Sequence, residues 1–475
     1  MANNIPTVFI IFGATGDLIG KKIVPALFHL FEKGKLPRML RIVGFSRRDI
    51  TDEDFKKSVV EMLAVHHDVY GNKEVISKFL RHFSYQQGNF KEIKSYKDLA
   101  ENLGRIDGEW KVCANKLFYL ATPPQYNETI FQHLKTSGLT IPCSPEEGWT
   151  RVIVEKPFGK DLKTAENLDL LLGKLFKEEQ LYRIDHYLAK DMLQNILSFR
   201  FANNLLEQNW NNKYIEKIEI RLLEKIGVEH RGSFYDGLGA LRDVGQNHLL
   251  QMLALVTMDD PGSFEVNKVR SKRAEILEKL ELPTLAYIIQ ETVRAQYKEY
   301  KNIKGVSSIS KTETYFKIKT LLNSSRWQGV PIFLESGKRM KKQIKEIAIT
   351  FKHKTPCLCP PGHHFKNQVV FQIEPQEKIE ISFLSKKPGL DMEIQEKDFH
   401  FTYRKRSKKS QYVEEYEKLL LDCVEGNQLL FVSTREIKAM WRYIDPIIDV
   451  WQKNKVPLHL YKPDYMDPKR KTFIT

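Results

Sequence analysis

Apolar residues crowd Thr7-Val-Phe-Ile-Ile-Phe12 without a polar interruption and stop at a glycine, the pattern of a short strand buried on both faces. Directly after it, Ile23, Ala26, Leu27, Leu30 and Phe31 recur at helical spacing as far as Gly34, which predicts an amphipathic helix. Pro25 falls inside that run and predicts a kink, or a start later than the glycine turn suggests. Further strands are predicted at residues 41–45, 116–121 and 151–155. Strands alternating with helical segments indicate an α/β, doubly wound parallel sheet over residues 1–185.

The pattern then changes. Residues 217–222, 314–319, 346–351, 369–373 and 379–383 alternate apolar with polar, as half-exposed antiparallel strands do. Helices are predicted at about 234–257 and 413–425. Residues 186–475 are therefore expected to form an α+β domain, and neither an internal repeat nor a low-complexity linker is visible.

A chain of 475 residues is too long for a single core, so two or three domains are expected. No apolar run approaches the length of a membrane span, and the N-terminus lacks the basic start of a secretory signal, so neither membrane insertion nor secretion is expected. The five cysteines are odd in number and mostly scattered, which argues against a disulfide framework and fits a reducing, cytoplasmic setting. The formal charge of +15 is spread along the whole chain. Only residues 403–409 and 469–471 form basic clusters, and neither is interleaved with aromatics as a nucleic-acid surface would be. No nucleic-acid partner is expected, but the positive field suits phosphorylated small molecules.

Three places offer chemistry. Gly13 and Gly16 turn the first strand into a helix whose free N–H groups can hold a phosphate, although the spacing is short of a full dinucleotide fingerprint. After the second strand, where an NAD-binding fold places a carboxylate, the chain reads Ser46-Arg47-Arg48. Arginine there grips a 2′-phosphate and so points to NADP; a surface arginine pair closing a strand is the alternative. The segment Arg183-Ile-Asp-His-Tyr-Leu-Ala-Lys190 packs a carboxylate, an imidazole, a phenol and an ammonium together. His186 and Lys190 stand four apart, spacing that would put both on one helical face against a phosphate. Asp243 and His248 are five apart, which on a regular helix sets them well around from each other. The Cys357-Leu-Cys359-Pro-Pro-Gly-His-His364 run reads as a surface loop or as an adventitious zinc site, and no structural or catalytic metal is expected.

These segments, with Gly13-Ala-Thr-Gly-Asp-Leu18, Glu155-Lys-Pro-Phe-Gly159, Arg242-Asp-Val-Gly-Gln-Asn-His248, Ser336-Gly-Lys338, Arg200-Phe-Ala-Asn203 and Tyr416-Glu-Lys-Leu-Leu-Leu-Asp422, stand in one order from about Val8 to about Pro457. In this the chain resembles the glucose-6-phosphate dehydrogenase family. The resemblance implies an N-terminal Rossmann-like NADP-binding domain (1–185) and a C-terminal substrate-binding and dimerisation domain built on a large antiparallel sheet (186–475). It implies oxidation of glucose 6-phosphate to 6-phosphogluconolactone with hydride transfer to NADP, the first step of the oxidative pentose phosphate pathway, in a cytoplasmic homodimer or homotetramer. His248 matches the base and Asp185 the carboxylate that orients it. Lys156, His186, Tyr187 and Lys190 match phosphate and sugar contacts, Glu224 and Asp243 accept ring hydroxyls, and Lys338 reaches in from the second domain. Gly13, Ala14, Thr15, Gly16, Asp17, Leu18, Lys22, Arg47 and Lys156 match cofactor contacts, with the Ala121-Thr-Pro-Pro124 turn beside them.

Two positions depart from the family pattern. Gln343 replaces a basic residue, and Glu374 replaces a glutamine. Two outcomes are open: Lys342 swings in for the missing cation, which requires its segment to be irregular and is the favoured one, or the site works with Lys338 alone and binds the sugar phosphate more weakly. Two rival readings stay open: another sugar oxidoreductase sharing the Glu-Lys-Pro turn, and a non-catalytic nucleotide sensor. Lys190 weighs against the first when the sugar is neutral, and the retention of Asp185, His248, Lys156 and Lys190 weighs against the second.

Overall fold

The computed structural model describes residues 6–65, 73–144, 147–353, 364–403 and 413–464. The chain forms two compact units: residues 1–159, 163–189 and 412–434 make the first, and 160–162, 190–411 and 435–475 the second.

The first unit is built on six parallel strands, β1 (Thr7–Phe12), β2 (Leu40–Ser46), β3 (Phe83–Gln87), β4 (Asn115–Leu120), β5 (Thr150–Val154) and β6 (Leu181–Arg183), in the order β3-β2-β1-β4-β5-β6. Every residue of β1 and of β4 is buried, as the centre of a parallel sheet requires. The winding reverses between β1 and β4, and ligands of such sheets bind outside the carboxyl ends of the strands at that point. Pro25 does delay the helix: a π turn over Ile19–Ile23 comes first, and the α-helix Val24–Glu32 takes the proline in its first turn, where no N–H is needed. Gly34, at φ +60°, follows its end.

Among the described residues the second unit contains nine strands: β7 (Ile215–Leu223), β8 (Thr292–Tyr297), β9 (Tyr315–Thr320), β10 (Ile332–Gly337), β11 (Ile344–Phe351), β12 (Gln368–Glu374), β13 (Lys378–Lys386), β14 (Ile394–Thr402) and β15 (Leu458–Tyr461). Their order is β14-β13-β12-β11-β7-β10-β9-β8-β15. The sheet is mostly antiparallel, but β7 pairs parallel with β10, and β8 with β15. On β7 the buried Ile218, Ile220 and Leu222 alternate with half-buried Lys217, Glu219 and Arg221, so the predicted period holds while strand direction lay beyond it.

Two expectations need correction. The single helix at 234–257 is three pieces: a turn at Gly232–Tyr235, a π-helix at Leu241–Leu249, and an α-helix at Leu250–Thr257. Gly237 and Gly239, at φ +82° and +77°, break it. A Cβ on Gly239 would also run into the Glu313 carboxylate. Secondly, Cys113 and Cys143 form a disulfide with Cα atoms 6.3 Å apart, against the reading of scattered thiols. The two are 30 residues apart in sequence, yet each precedes one of the neighbouring strands β4 and β5, whose starts lie side by side. Cys423 is buried and free; Cys357 and Cys359 lie outside the described residues, as do His363 and the basic runs 404–409 and 469–471. Among the described residues no helix is long and apolar enough to cross a membrane.

Candidate active site

In the first unit the candidate residues follow the carboxyl ends of its parallel strands. After β1, Gly13 donates its N–H to the Phe45 carbonyl at 2.9 Å and adopts φ +83°. A Cβ there would stand 2.7 Å from the Ala121 carbonyl oxygen, so only glycine fits between the ends of β1 and β4. Ala14 is buried, Gly16 closes the turn onto the Gly13 carbonyl at 2.9 Å, and Asp17 is exposed and paired with Lys21. Leu18 caps the π turn that carries Lys22, and Lys22 Nζ lies 3.5 Å from Glu414. Thr15 Oγ1 reaches Ser46 Oγ at 3.5 Å, across to the end of β2.

Ser46 occupies the last position of β2, and Arg47 and Arg48 follow it exposed. Tyr85 on β3 fixes this turn: its hydroxyl lies 2.9 Å from Ser46 Oγ and also meets the Arg48 carbonyl. Asp52 holds the Tyr85 N–H at 2.7 Å. Burial raises the Tyr85 phenol pKa, so it remains a neutral donor.

After β5, Glu155 and Lys156 are half-buried. Burial raises the Glu155 carboxyl pKa, and two phenols steady it, Tyr119 at 2.5 Å and Tyr416 at 3.1 Å. Tyr416 lies on the helix Glu415–Glu425, which also sends Lys418 Nζ to the Ala189 carbonyl at 3.1 Å and Glu417 to His29 and Lys33. After β6, Asp185 is 1% exposed and accepts the Tyr187 N–H at 3.0 Å. His186 to Ala189 form a 3-10 turn, and Lys190 is the extended N-cap of the α-helix Asp191–Phe201. The one-face α-helical spacing expected of His186 and Lys190 is therefore absent, because the backbone leaves the helix between them.

In the second unit the candidate side chains meet at one end of the sheet. Glu224 and Lys338 leave the neighbouring strands β7 and β10, where Leu223 is opposite Gly337, and their side chains pair at 2.6 Å. The Lys338 ammonium also sits 5.4 Å from the centre of the Tyr235 ring. Beside them, Lys345 on β11 is opposite Glu374 on β12. Glu374 takes Lys190 at 2.7 Å on one oxygen, and Lys345 at 2.6 Å and the Gln343 amide at 3.3 Å on the other. Burial pushes the Glu374 carboxyl up, but the two lysines more than offset it, so its pKa lies below the usual carboxylate range. The helix after Lys190 packs on this strand through Phe199 and Phe371, ring centres 5.1 Å apart. Residues 338–343 are irregular, as a swinging cation would need, but Lys342 is exposed and Lys345 is the cation at the cluster.

Asp243 and His248 lie on the π-helix Leu241–Leu249. Its i to i+5 bonding brings residues five apart over one another, so the two share a strip, unlike the regular-helix expectation. Asn247 ties them together, donating to the Asp243 carbonyl at 3.1 Å and accepting the His248 N–H at 2.6 Å. His248 is 3% exposed. Tyr85, Lys345, Tyr119 and Glu414 were not found from sequence; only the Glu-Glu-Tyr-Glu start of the C-terminal helix hinted at anything beyond packing.

The glycine cradle at Gly13 and the cationic turn after β2 fit a phosphorylated nucleotide, since the turn brings backbone close and a carboxylate does not close β2. Comparison with known proteins gives matching results. Residues 10–195 match the family model described as glucose-6-phosphate dehydrogenase, NAD binding domain, and residues 197–474 the model for the C-terminal domain of the same family. The chain is 36% identical over 465 residues to glucose-6-phosphate 1-dehydrogenase of Chlamydia muridarum (strain MoPn / Nigg), covering 94% of this chain and 91% of that protein. It is similar to a solved glucose-6-phosphate dehydrogenase in complex with its substrate glucose-6-phosphate, with a TM-score of 0.90 and 33% identity over 99% of this chain and 97% of that one. The glucose-6-phosphate 1-dehydrogenase from Mycobacterium avium superposes with a TM-score of 0.82 and 30% identity, covering 96% and 94%.

Proposed function

The chain belongs to the glucose-6-phosphate dehydrogenase family, and from that membership and its site geometry we propose that it oxidises glucose 6-phosphate to 6-phospho-D-glucono-1,5-lactone with NADP as hydride acceptor. The observation that carries the reading is the lysine-rich end of the second sheet, where Lys190, Lys345 and Lys338 gather around Glu374 and Glu224. Lysines neutralise a phosphate dianion, and the carboxylates accept hydrogen bonds from sugar hydroxyls. His186, Tyr187 and Lys156 add to the phosphate and sugar contacts, and Asp243 takes a ring hydroxyl.

His248 removes the proton of the C1 hydroxyl as the C1 hydrogen departs with its electron pair. Asp185 holds the imidazole in one tautomer and stabilises the imidazolium that forms. The nicotinamide, when bound, supplies the acceptor for that hydride. The turn Gly13, Ala14, Thr15, Gly16, Asp17 and Leu18, with Lys22 and Lys156, holds the cofactor phosphates, and Arg47 grips the 2′-phosphate. Support for NADP over NAD comes from Ser46, Arg47 and Arg48 standing where a carboxylate would meet ribose hydroxyls.

The enzyme acts in the cytoplasm as a homodimer or homotetramer; Phe399 and Phe401, 63% and 55% exposed on the edge strand β14, suit a covered face. The deciding experiment follows absorbance of reduced nicotinamide with purified chain, glucose 6-phosphate or glucose, and NADP or NAD. Turnover is expected with glucose 6-phosphate and NADP and little with glucose. Silence in every combination would end the enzyme reading.

A further inference from the structure

The second unit contains a cavity of about 210 Å³ whose lining includes Arg242, Arg294, Lys311, Glu313, Trp451 and Asn454. Arg294 is only 3% exposed. Its Nε and Nη2 donate to the Val456 carbonyl at 3.0 and 2.8 Å, and Nη2 also reaches Asn454 Oδ1 at 3.3 Å. Nη1 has no protein partner among the described residues. Arg242 is fixed in the same way, Nε to the Lys160 carbonyl at 3.0 Å and Nη1 to the carbonyls of Gly237 and Leu238 at 3.3 and 3.4 Å, which leaves Nη2. These carbonyls orient the guanidinium planes without cancelling their charge.

Among the described residues neither arginine, nor Lys311, makes an ion pair. Glu313 is the one carboxylate in the lining, and one of its oxygens is already taken by the Leu241 N–H at 3.0 Å. Burial raises its pKa, while Arg242 and Arg294 act in the opposite direction. Burial likewise lowers the pKa of Arg242, against the pull of Glu313 and of Asp445 and Asp161, which stand outside the lining. Two partly desolvated arginines and the exposed Lys311 thus share a lining with one carboxylate, and unpaired buried charge is costly unless something compensates it. The cavity has room for a phosphate and a few further atoms.

We propose that the cavity bounded by Arg242, Arg294 and Lys311 is a second anion site, taking a tetrahedral oxyanion as inorganic phosphate or as the phosphoryl group of a small metabolite. Two guanidinium groups and an ammonium, drawn from different elements into one lining, match the several oxygens of such a group. The lining shares no residue with the phosphate contacts proposed for the substrate, although Arg242 precedes Asp243 on the π-helix.

The test is calorimetric titration of the full chain with inorganic phosphate at constant ionic strength. NADPH and glucose 6-phosphate are first titrated on their own, which checks the active-site reading separately, and are then kept saturating so that the active-site phosphate contacts are filled. One saturable phosphate site is expected, weakened about ten-fold or more in Lys311→Gln, an exposed position, and further in Arg294→Gln. Glycerol 3-phosphate titrated in parallel separates the two sources: tighter binding than phosphate identifies a metabolite, and equal or weaker binding identifies the free ion. Absence of saturable phosphate binding, or binding unchanged in a Lys311→Gln chain that melts like the wild type, overturns the proposal.

Discussion

Glu374 holds two ammonium groups at once, Lys190 at 2.7 Å and Lys345 at 2.6 Å, so neither lysine has the carboxylate to itself and the cluster keeps a net positive charge. Lys345→Ala lets Glu374 cancel Lys190 alone. We expect KM for glucose 6-phosphate to rise about ten-fold, the worth of one charge-assisted contact, with kcat nearly kept. Lys342→Ala should leave KM in place, and a rise there with none in Lys345→Ala would return the role to Lys342. Adjacency to Gln343 in an irregular segment points to Lys342, whereas the pairing of β11 with β12, with a bulge beside it that no residue pattern announces, sets Lys345 opposite Glu374. His248→Asn should lower kcat by about two to four orders of magnitude with little change in KM, measured by steady-state kinetics; wild-type turnover would make it a core residue. Tyr85→Phe removes the hydroxyl that fixes Ser46 and the Arg48 carbonyl. KM for NADP should rise about two- to ten-fold while KM for NAD stays, since only NADP depends on the arginine turn. An equal rise for both would show that Tyr85 merely supports the strand.

At the scale of elements, the helix Glu415–Glu425 shows how a late segment serves an early sheet: Tyr416 meets Glu155, Lys418 meets Ala189, and Arg151 donates to the carbonyls of Cys423 and Val424. Its periodicity made the helix legible, but a helical pattern does not say which sheet it covers. Near its end, burial pushes the Asp422 carboxyl from 3.8 up to about 7, against a hydrogen bond from Asn427. The folded pKa lies above the unfolded one, so between about pH 4 and pH 7 the folded chain keeps a proton that the unfolded chain has lost. That stabilisation is present at low pH and disappears as pH rises through about 7. Asp422→Asn, a stand-in for the protonated acid, should therefore raise Tm at pH 8 and leave it nearly unchanged at pH 3, below the unfolded pKa. The gain should be about 1 to 3 kcal/mol once solvent access is discounted. A melting curve shifted equally at both pH values would show that Asp422 titrates normally. Other elements escaped the pattern for simpler reasons: β6 has three residues, β3 is a half-exposed edge strand, and the π-helix differs from an α-helix by hydrogen-bond register alone.

Over the whole molecule, the order of glycine turn, arginine turn and Asp-His-Tyr segment was legible because each follows a buried parallel strand, and the order of strands then sets where they meet. What sequence could not supply was pairing: β7 beside β10, and Cys113 beside Cys143. The formal charge of +15 is legible without any fold, and its consequence belongs to the molecule as a unit. Both proposed ligands are anions, and a positive field raises their concentration near the surface or strengthens their final contacts. Salt shortens the reach of that field, from about 30 Å at 0.01 M to about 10 Å at 0.1 M. Raising NaCl across that range should lower kcat/KM for glucose 6-phosphate several-fold while kcat changes little, because saturating substrate no longer depends on attraction. NADP and NAD supply the internal control: they differ by one phosphate, so kcat/KM for NADP should fall more steeply with salt than kcat/KM for NAD. Equal slopes for the two cofactors would mean that the excess lysines are a solvated surface, and that only the contacts within each site read the phosphates.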